Sequence, residues 1–474
     1  MKHPTFRGLL RLAAFLLGLA LIVAFANTFC IKTDIYAALT MAEVKARSDI
    51  EVAFVGSSIV RDHFNADMIS KEIGKTCFAL GIPCGMLQGN IASTRELYRK
   101  NSPEWTILVI EPFTVDSAKE GIEGQYDLLP FLSSPFEQLR YYYSVAKEDG
   151  WYVDRAFMFR DYAVDSFGEF METVGMHLRP FRTYERIRPT LDPRMTYMGS
   201  GYSRCDTDER ATEMVRQQII REYTGYVYDL LPQTREMLLE YRDLVAQKGS
   251  KLLVFIYPNM TAHNLAIPGF LDYADALTRF CGENDMPCVN FSYAKPELYS
   301  RETDQYYFDL YHMVGEGADI FSASFCKFFK AYLAGEDTSD WFYADKWAYF
   351  SSVSFITNCW IQTYFPDGEW NGAWEQSRQA VAAASENGAR DVYAANCNHG
   401  PSVAPEYRFF LRDEATGAET PLTDWQAEGI LACDKGALTG QCIRVYARAQ
   451  GGADDPSLYF DFRPGIDEEP CLQV

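Results

Sequence analysis

From residue 50 onward, short apolar runs alternate with stretches of helical spacing. Glu51-Val52-Ala53-Phe54-Val55 reads as a buried strand that ends at Gly56-Ser57-Ser58. A helix is expected near Asp67 to Ile73, a second apolar run spans Thr76 to Leu80, and another helix runs from about Met86 to Arg99. Thr106 to Ile110 is a third strand. Met237, Leu238, Tyr241, Leu244 and Val245 share one helical face, and Gly249 closes that helix. Lys251 to Tyr257, stopped by Pro258, and Pro287 to Phe291 are the fourth and fifth strands. Ile320, Phe321, Phe325, Phe328 and Tyr332 recur at helical intervals and predict a last helix from about Gly317 to Leu333. Strands alternating with helices predict an α/β, flavodoxin-like three-layer domain over residues 35–335, its parallel sheet covered on both faces.

Residues 115–235 interrupt that alternation with Tyr, Phe and Arg-rich helices and loops, and read as an insertion at the rim of a site. Within it, Gly199-Ser200-Gly201-Tyr202-Ser203 reads as a flexible loop. The character changes after Gly335. Residues 336–348 read as a linker, and 349–474 as a β-sandwich, the immunoglobulin-like form being one candidate, with strands near 350–364, 406–412, 441–448 and 457–462. Trp341, Trp347, Trp360, Trp370, Trp374 and Trp425 all fall in this last part of the chain. Sandwich core is the favoured reading for them over sugar stacking.

At the other end, Lys2, Arg7 and Arg11 precede an apolar run from Leu12 to Val23 that extends toward Ile31. The expectation is an uncleaved single-pass membrane anchor over residues 1–34, with the bulk of the chain outside the cytoplasm. A cleaved signal peptide is the rival, because Ala24-Phe25-Ala26 resembles a small-x-small cleavage site.

Composition narrows the function classes. With 474 residues and 48% apolar content the chain can bury two cores. A net charge of −21 argues against nucleic-acid partners and against docking on anionic lipid by charge. Six scattered histidines and no Cys-x-x-Cys pair leave no metal site to expect. If the chain is exported, Cys77 with Cys84, Cys281 with Cys288, and Cys433 with Cys442 are candidate disulfides. Asn259-Met260-Thr261 and Asn290-Phe291-Ser292 are glycosylation sequons, relevant only in a host that uses them.

Two blocks carry candidate chemistry. In Val55-Gly56-Ser57-Ser58-Ile59-Val60-Arg61, a serine follows the first strand, where open α/β sheets place their ligands. In Phe308-Asp309-Leu310-Tyr311-His312, an Asp stands three residues before a His, just ahead of the last helix. A serine hydroxyl needs a base, and a carboxylate can hold that base's tautomer. Each block alone also fits a helix cap and a surface His.

Together they resemble the SGNH, or GDSL-type, hydrolase superfamily over about residues 48–333. The resemblance implies Ser58 as nucleophile, His312 as base and Asp309 as its orienting acid, with the Ser58 and Gly81 amides in the oxyanion hole. The chain departs from the family in the middle. Ala79-Leu80-Gly81 keeps the family's glycine but not the asparagine before it, and Val109-Ile110-Glu111-Pro112-Phe113 lacks the asparagine donor of the third block. His63 and Glu111 remain as candidate substrate contacts beside structural roles.

More loosely, the arrangement is similar to envelope proteins of alginate O-acetylation and teichoic acid D-alanylation. That likeness implies acyl esters of an envelope polysaccharide, no cofactor, and a membrane-bound O-acyltransferase as a possible partner. Three outcomes stay open: an esterase, an acyltransferase, or a non-catalytic assembly protein of the same fold.

Overall fold

The computed structural model describes residues 6–30, 36–82, 86–111, 126–149, 163–178, 194–211, 229–261, 264, 270–309, 311–354, 356–362, 380–385, 388–400, 402–452 and 458–465. Cys84, Trp370 and Trp374 lie outside the described residues, as does much of the expected insertion, whose described part includes the helices α6 (Pro135–Asp149) and α7 (Phe167–Leu178).

Five parallel strands form the central sheet: β1 (Val52–Gly56), β2 (Cys77–Gly81), β3 (Trp105–Ile110), then β6 (Lys251–Ile256) and β7 (Cys288–Asn290), after a hairpin of β4 (Met195–Gly199) and β5 (Tyr202–Cys205). Their order is β2-β1-β3-β6-β7. The chain therefore reverses its direction of travel across the sheet between β1 and β3, and the crevice at their carboxyl ends is where such sheets hold ligands. The strands are uniformly apolar because both faces are covered.

On one face pack α2 (Tyr36–Ala46), α5 (Leu87–Leu97), α8 (Pro232–Gln247) and α9 (Phe270–Glu283). Their Val44, Ile91, Tyr241 and Leu277 join Val55, Leu108 and Val254 in one core. On the other face lie α3 (Ser58–His63), α4 (Ala66–Ile73) and α10 (Gly315–Ala334). There Phe321, Phe325 and Phe328 of α10 meet Phe64, Phe54 and Phe291 with ring centroids 5.0, 5.2 and 5.3 Å apart. The left-handed Gly335 (φ +71°) ends α10.

The β4–β5 hairpin falls inside the expected insertion and corrects the reading of residues 199–203 as a flexible loop. Ser200 and Gly201 form its tight turn at φ 52° and 76°. Ser200 O accepts the Ala79 N–H at 2.8 Å, and a Cβ on Gly201 would lie 2.0 Å from Ala79 O. The hairpin is thus clamped to β2, at the sheet's edge.

The C-terminal part is a pair of antiparallel sheets. One contains β10 (Pro405–Arg412), β11 (Glu419–Pro421), β13 (Cys442–Ala449) and β14 (Tyr459–Phe462); the other contains β8 (Ile356–Gln362), β9 (Arg390–His399) and β12 (Ile430–Asp434). Tyr407 and Phe409 point into the shared core with Ile443, Val445, Phe460 and Trp360, while Arg408 and Arg412 alternate outward. Of the described tryptophans expected there, Trp360 is sandwich core and Trp347 is exposed. The expected 350–364 strand begins only at Ile356, since α11 (Lys346–Ser351) precedes it, capped by Asp345. Cys281, Cys288, Cys433 and Cys442 are free thiols, so neither of these two candidate pairs is bonded.

One expectation is overturned. The N-terminal run does form a helix, α1 (Phe6–Phe29), but no helix among the described residues is long and apolar enough to cross a membrane. Arg11 and Asn27 bracket an uncharged apolar stretch, Leu12 to Ala26. At the α-helical rise it covers about 22 Å, short of the roughly 30 Å of a hydrocarbon core. The single-pass membrane localisation is withdrawn.

Candidate active site

Gly56 ends β1, and Ser57 caps α3 by accepting the Ile59 N–H on its hydroxyl at 3.3 Å. That leaves Ser58 as the first residue of α3, whose own N–H has no preceding helical turn to bond. The two serines divide the two roles the sequence left open: Ser57 is the cap, and Ser58 is free to face the crevice. Two glycines make this turn possible. A Cβ on Gly56 would lie 2.8 Å from Val109 O, and a Cβ on Gly81 would lie 2.4 Å from Arg61 N and 2.8 Å from Ser57 O.

His312 arrives from the segment before α10. Phe308 N–H donates to His312 O at 2.9 Å, and Val314 N–H to Tyr306 O at 2.8 Å, which brings Tyr306 to Phe308 against His312 to Val314. Asp309 Oδ1 accepts the backbone N–H of Tyr311 at 2.8 Å and of His312 at 2.7 Å. This local turn fixes the carboxylate beside the ring that follows it.

The structure brings the three residues together. Ser58 Oγ is 2.8 Å from His312 Nε2, and His312 Nδ1 is 2.9 Å from Asp309 Oδ2. A carboxylate can only accept, so Nδ1 carries the proton and Nε2 is left as acceptor for the Ser58 hydroxyl. Burial lowers the basicity of His312, but its bond to Asp309 and the charges of Asp309 and Asp62 outweigh this and raise its pKa above the ordinary value. Burial likewise pushes Asp309 up, and the bonds from His312 and the backbone pull it below its ordinary value. The His312 side chain keeps 22% of its surface exposed, so the pair is open to solvent.

Sequence reasoning missed Asp62. Its Oδ2 stands 3.9 Å from His312 Nε2, on the side facing Ser58. Arg61 grips the same carboxylate through Nε and Nη2, both at 2.6 Å, with both side chains buried. An imidazolium at His312 thus lies between two carboxylates, and Arg61 tempers the second.

Gly81 lies against the Ser57–Arg61 backbone, as the close Cβ distances require. His63 is wholly buried, and its Nε2 accepts the Met313 N–H at 2.8 Å, which ties α3 to the segment that carries His312. The His63 ring packs 5.2 Å from Tyr257 and 6.2 Å from His312, and burial holds its pKa well below the ordinary value. Glu111 is also buried, and its Oε1 accepts the Asn259 Nδ2–H at 3.1 Å. The two sequon asparagines, Asn259 and Asn290, are both buried, so neither presents its amide for glycosylation. Among the described residues no group of His, Cys, Asp and Glu is placed to hold a metal ion.

No family model matches the chain, and no curated protein matches it. A solved structure similar to it is that of a two-domain esterase active on acetylated mannans, crystallised with mannopentaose. The two are 9% identical over 92% of this chain and 96% of that one, with a TM-score of 0.28. A likeness that distant carries no weight for the chemistry here, which stands on the geometry of the site.

Proposed function

We propose that the protein is a serine esterase or O-acyltransferase that handles acyl esters of a polysaccharide through a covalent acyl-Ser58. The observation that supports this is the continuous hydrogen-bonded line from Ser58 Oγ through His312 to Asp309. In this reading Ser58 Oγ attacks the ester carbonyl while His312 Nε2 takes its proton. Asp309 holds Nδ1–H and, with Asp62, stabilises the imidazolium. The Ser58 N–H, with Gly81, faces the developing oxyanion. His312 then returns the proton to the departing sugar oxygen, which leaves the acyl group on Ser58. Deacylation repeats these steps with an acceptor hydroxyl. Water as acceptor makes the protein an esterase; a sugar hydroxyl makes it a transferase, fed by a membrane-bound O-acyltransferase. The polysaccharide substrate rests on the looser resemblance of the Gly56-Ser57-Ser58 block and the altered third block, Val109 to Phe113, to the envelope proteins named above.

One observation favours the rival, a non-catalytic scaffold: the third strand leads into Glu111, not an asparagine donor. Hydrolysis of a small activated acetyl ester separates the two. The wild-type chain should release acid and Ser58→Ala should not, at equal folded concentration. Equal rates from both would remove Ser58 from the chemistry.

A further inference from the structure

A serine acyl-transfer site gains most of its rate from donors aimed at the oxyanion, and losing one costs about 10²–10³-fold. Here one donor is unassigned, and the structure shows what stands in its place. β1 and β3 are parallel neighbours, with Val55 opposite Leu108. Ser58 and Glu111 each follow those partners by three residues, so both leave the sheet at the same end, at the point where strand order reverses. Side chains alternate across a strand. Ile107 and Val109 belong to the core shared with Ile59, Val60, Tyr257 and Met313, whereas Leu108 and Ile110 belong to the opposite one. Continuing that alternation puts Glu111 on the face that carries α3, the His312 segment and Asn259. Its Oε1 accepts the Asn259 Nδ2–H at 3.1 Å, and Tyr257 and Met260, on either side of Pro258 and Asn259, belong to the core of that face.

We propose that Glu111, in its protonated form, is the second oxyanion donor of the Ser58 site. The inference rests on the acyl-transfer reading above. An oxyanion hole is a floor whose buried donors turn one bond toward the substrate carbonyl, and at 3% exposure Glu111 suits that place. An ionised carboxylate there would repel the oxyanion; a neutral one donates to it, as an amide would. Burial supplies the neutral form, pushing the Glu111 pKa up to about 7. Among the groups facing it are Asn259 and Tyr257 from the segment after β6, and His312 and Asp309 from the segment before α10. The Asn259 bond and a charged His312 favour ionisation, and Asp309 opposes it. This arrangement links activity to pH from both sides: His312 must be neutral to act as base, and Glu111 must be neutral to act as donor.

The test is the rate at which a fluorophosphonate labels Ser58 in the full chain, followed by intact mass from about pH 5.5 to 9. Its phosphoryl oxygen occupies the oxyanion position. Wild type, Glu111→Gln, Glu111→Ala and Ser58→Ala are compared, each checked for folding by circular dichroism. Wild-type labelling should decline above about pH 7. Glu111→Gln is isosteric and keeps a donor that does not titrate. It should label within about tenfold of wild type at neutral pH and lose the alkaline decline. Glu111→Ala should label about 10²–10³-fold more slowly. Wild-type speed in Glu111→Ala, or an unchanged alkaline decline in Glu111→Gln, overturns the donor role and leaves the Ser58 reading intact. No wild-type labelling above the Ser58→Ala background overturns both.

Discussion

Replacing Gly81 with alanine places a methyl carbon 2.4 Å from Arg61 N, 2.7 Å from Arg61 Cβ and 2.8 Å from Ser57 O. Two of these are backbone atoms of the turn that presents Ser58, so no side-chain rotation can relieve the clash. Reaching ordinary contact requires α3 and β2 to part by about 1 Å. Overpacking of this kind costs about 1–3 kcal/mol. The same displacement pulls Ser58 Oγ off its 2.8 Å bond to His312, and a 1 Å misplacement of reacting groups lowers the rate by about 10²-fold. Alanine keeps the residue 81 amide, so the loss reports position and not a missing donor. Urea denaturation and ester hydrolysis are measured side by side. Gly282→Ala is the control, since a Cβ there meets nothing within 4 Å. It should leave both properties unchanged or slightly improve stability. A Gly81→Ala protein with wild-type stability and rate would refute the claim that this glycine sets the nucleophile's position.

Other substitutions probe the electrostatics. Asp309→Asn removes the charge that raises His312, so the acid limb of the pH–rate profile should move to lower pH while the maximal rate falls by about 10³–10⁴-fold; an unmoved limb would exclude Asp309 as the orienting acid. Asp62→Ala leaves Arg61 buried without the carboxylate it grips at two points, and urea denaturation should show a loss of about 3–5 kcal/mol. Glu111 has a folded pKa near 7 against an ordinary value of 4.5, so the native state binds its proton more tightly. Its contribution is whole below pH 4.5 and falls by about 3 kcal/mol as pH rises through 7. Glu111→Gln should flatten that slope in urea midpoints taken across the interval, and an identical slope would show that the group is not buried as a neutral acid.

What was legible in the sequence was local. Val52–Gly56, Cys77–Gly81 and Trp105–Ile110 are short apolar runs that can only be buried strands, and the phenylalanine spacing of α10 marks the helix that covers them. Ser58, Asp309 and His312 stood out because each sits at an element boundary beside residues that shape a turn. The sandwich was readable from alternation, yet β9 and β12 were not, because their Ala, Asn and Cys residues give a weak period-two pattern. The polar residues that tertiary contacts bury were misjudged. Arg61 and Asp62 look like surface charges on a short helix, Asn259 looks like a sequon, and His63 looks like a ligand near Ser58. Arg61, Asp62 and His63 are buried because β2, the β4–β5 hairpin and α10 pack against α3, and Asn259 is buried against Glu111. The N-terminal run misled in another way: its composition suits a membrane span, but Arg11 and Asn27 shorten it below spanning length.

In the proposed mechanism Ser58 carries the acyl group. Quenching the full-length protein during turnover of a small activated ester, then mapping the mass of the peptide that contains Ser58, tests this directly. The acyl mass should appear on Ser58, with none in Ser58→Ala or on any other residue. Continued turnover in Ser58→Ala, or an acyl adduct mapped to a different side chain, would contradict it.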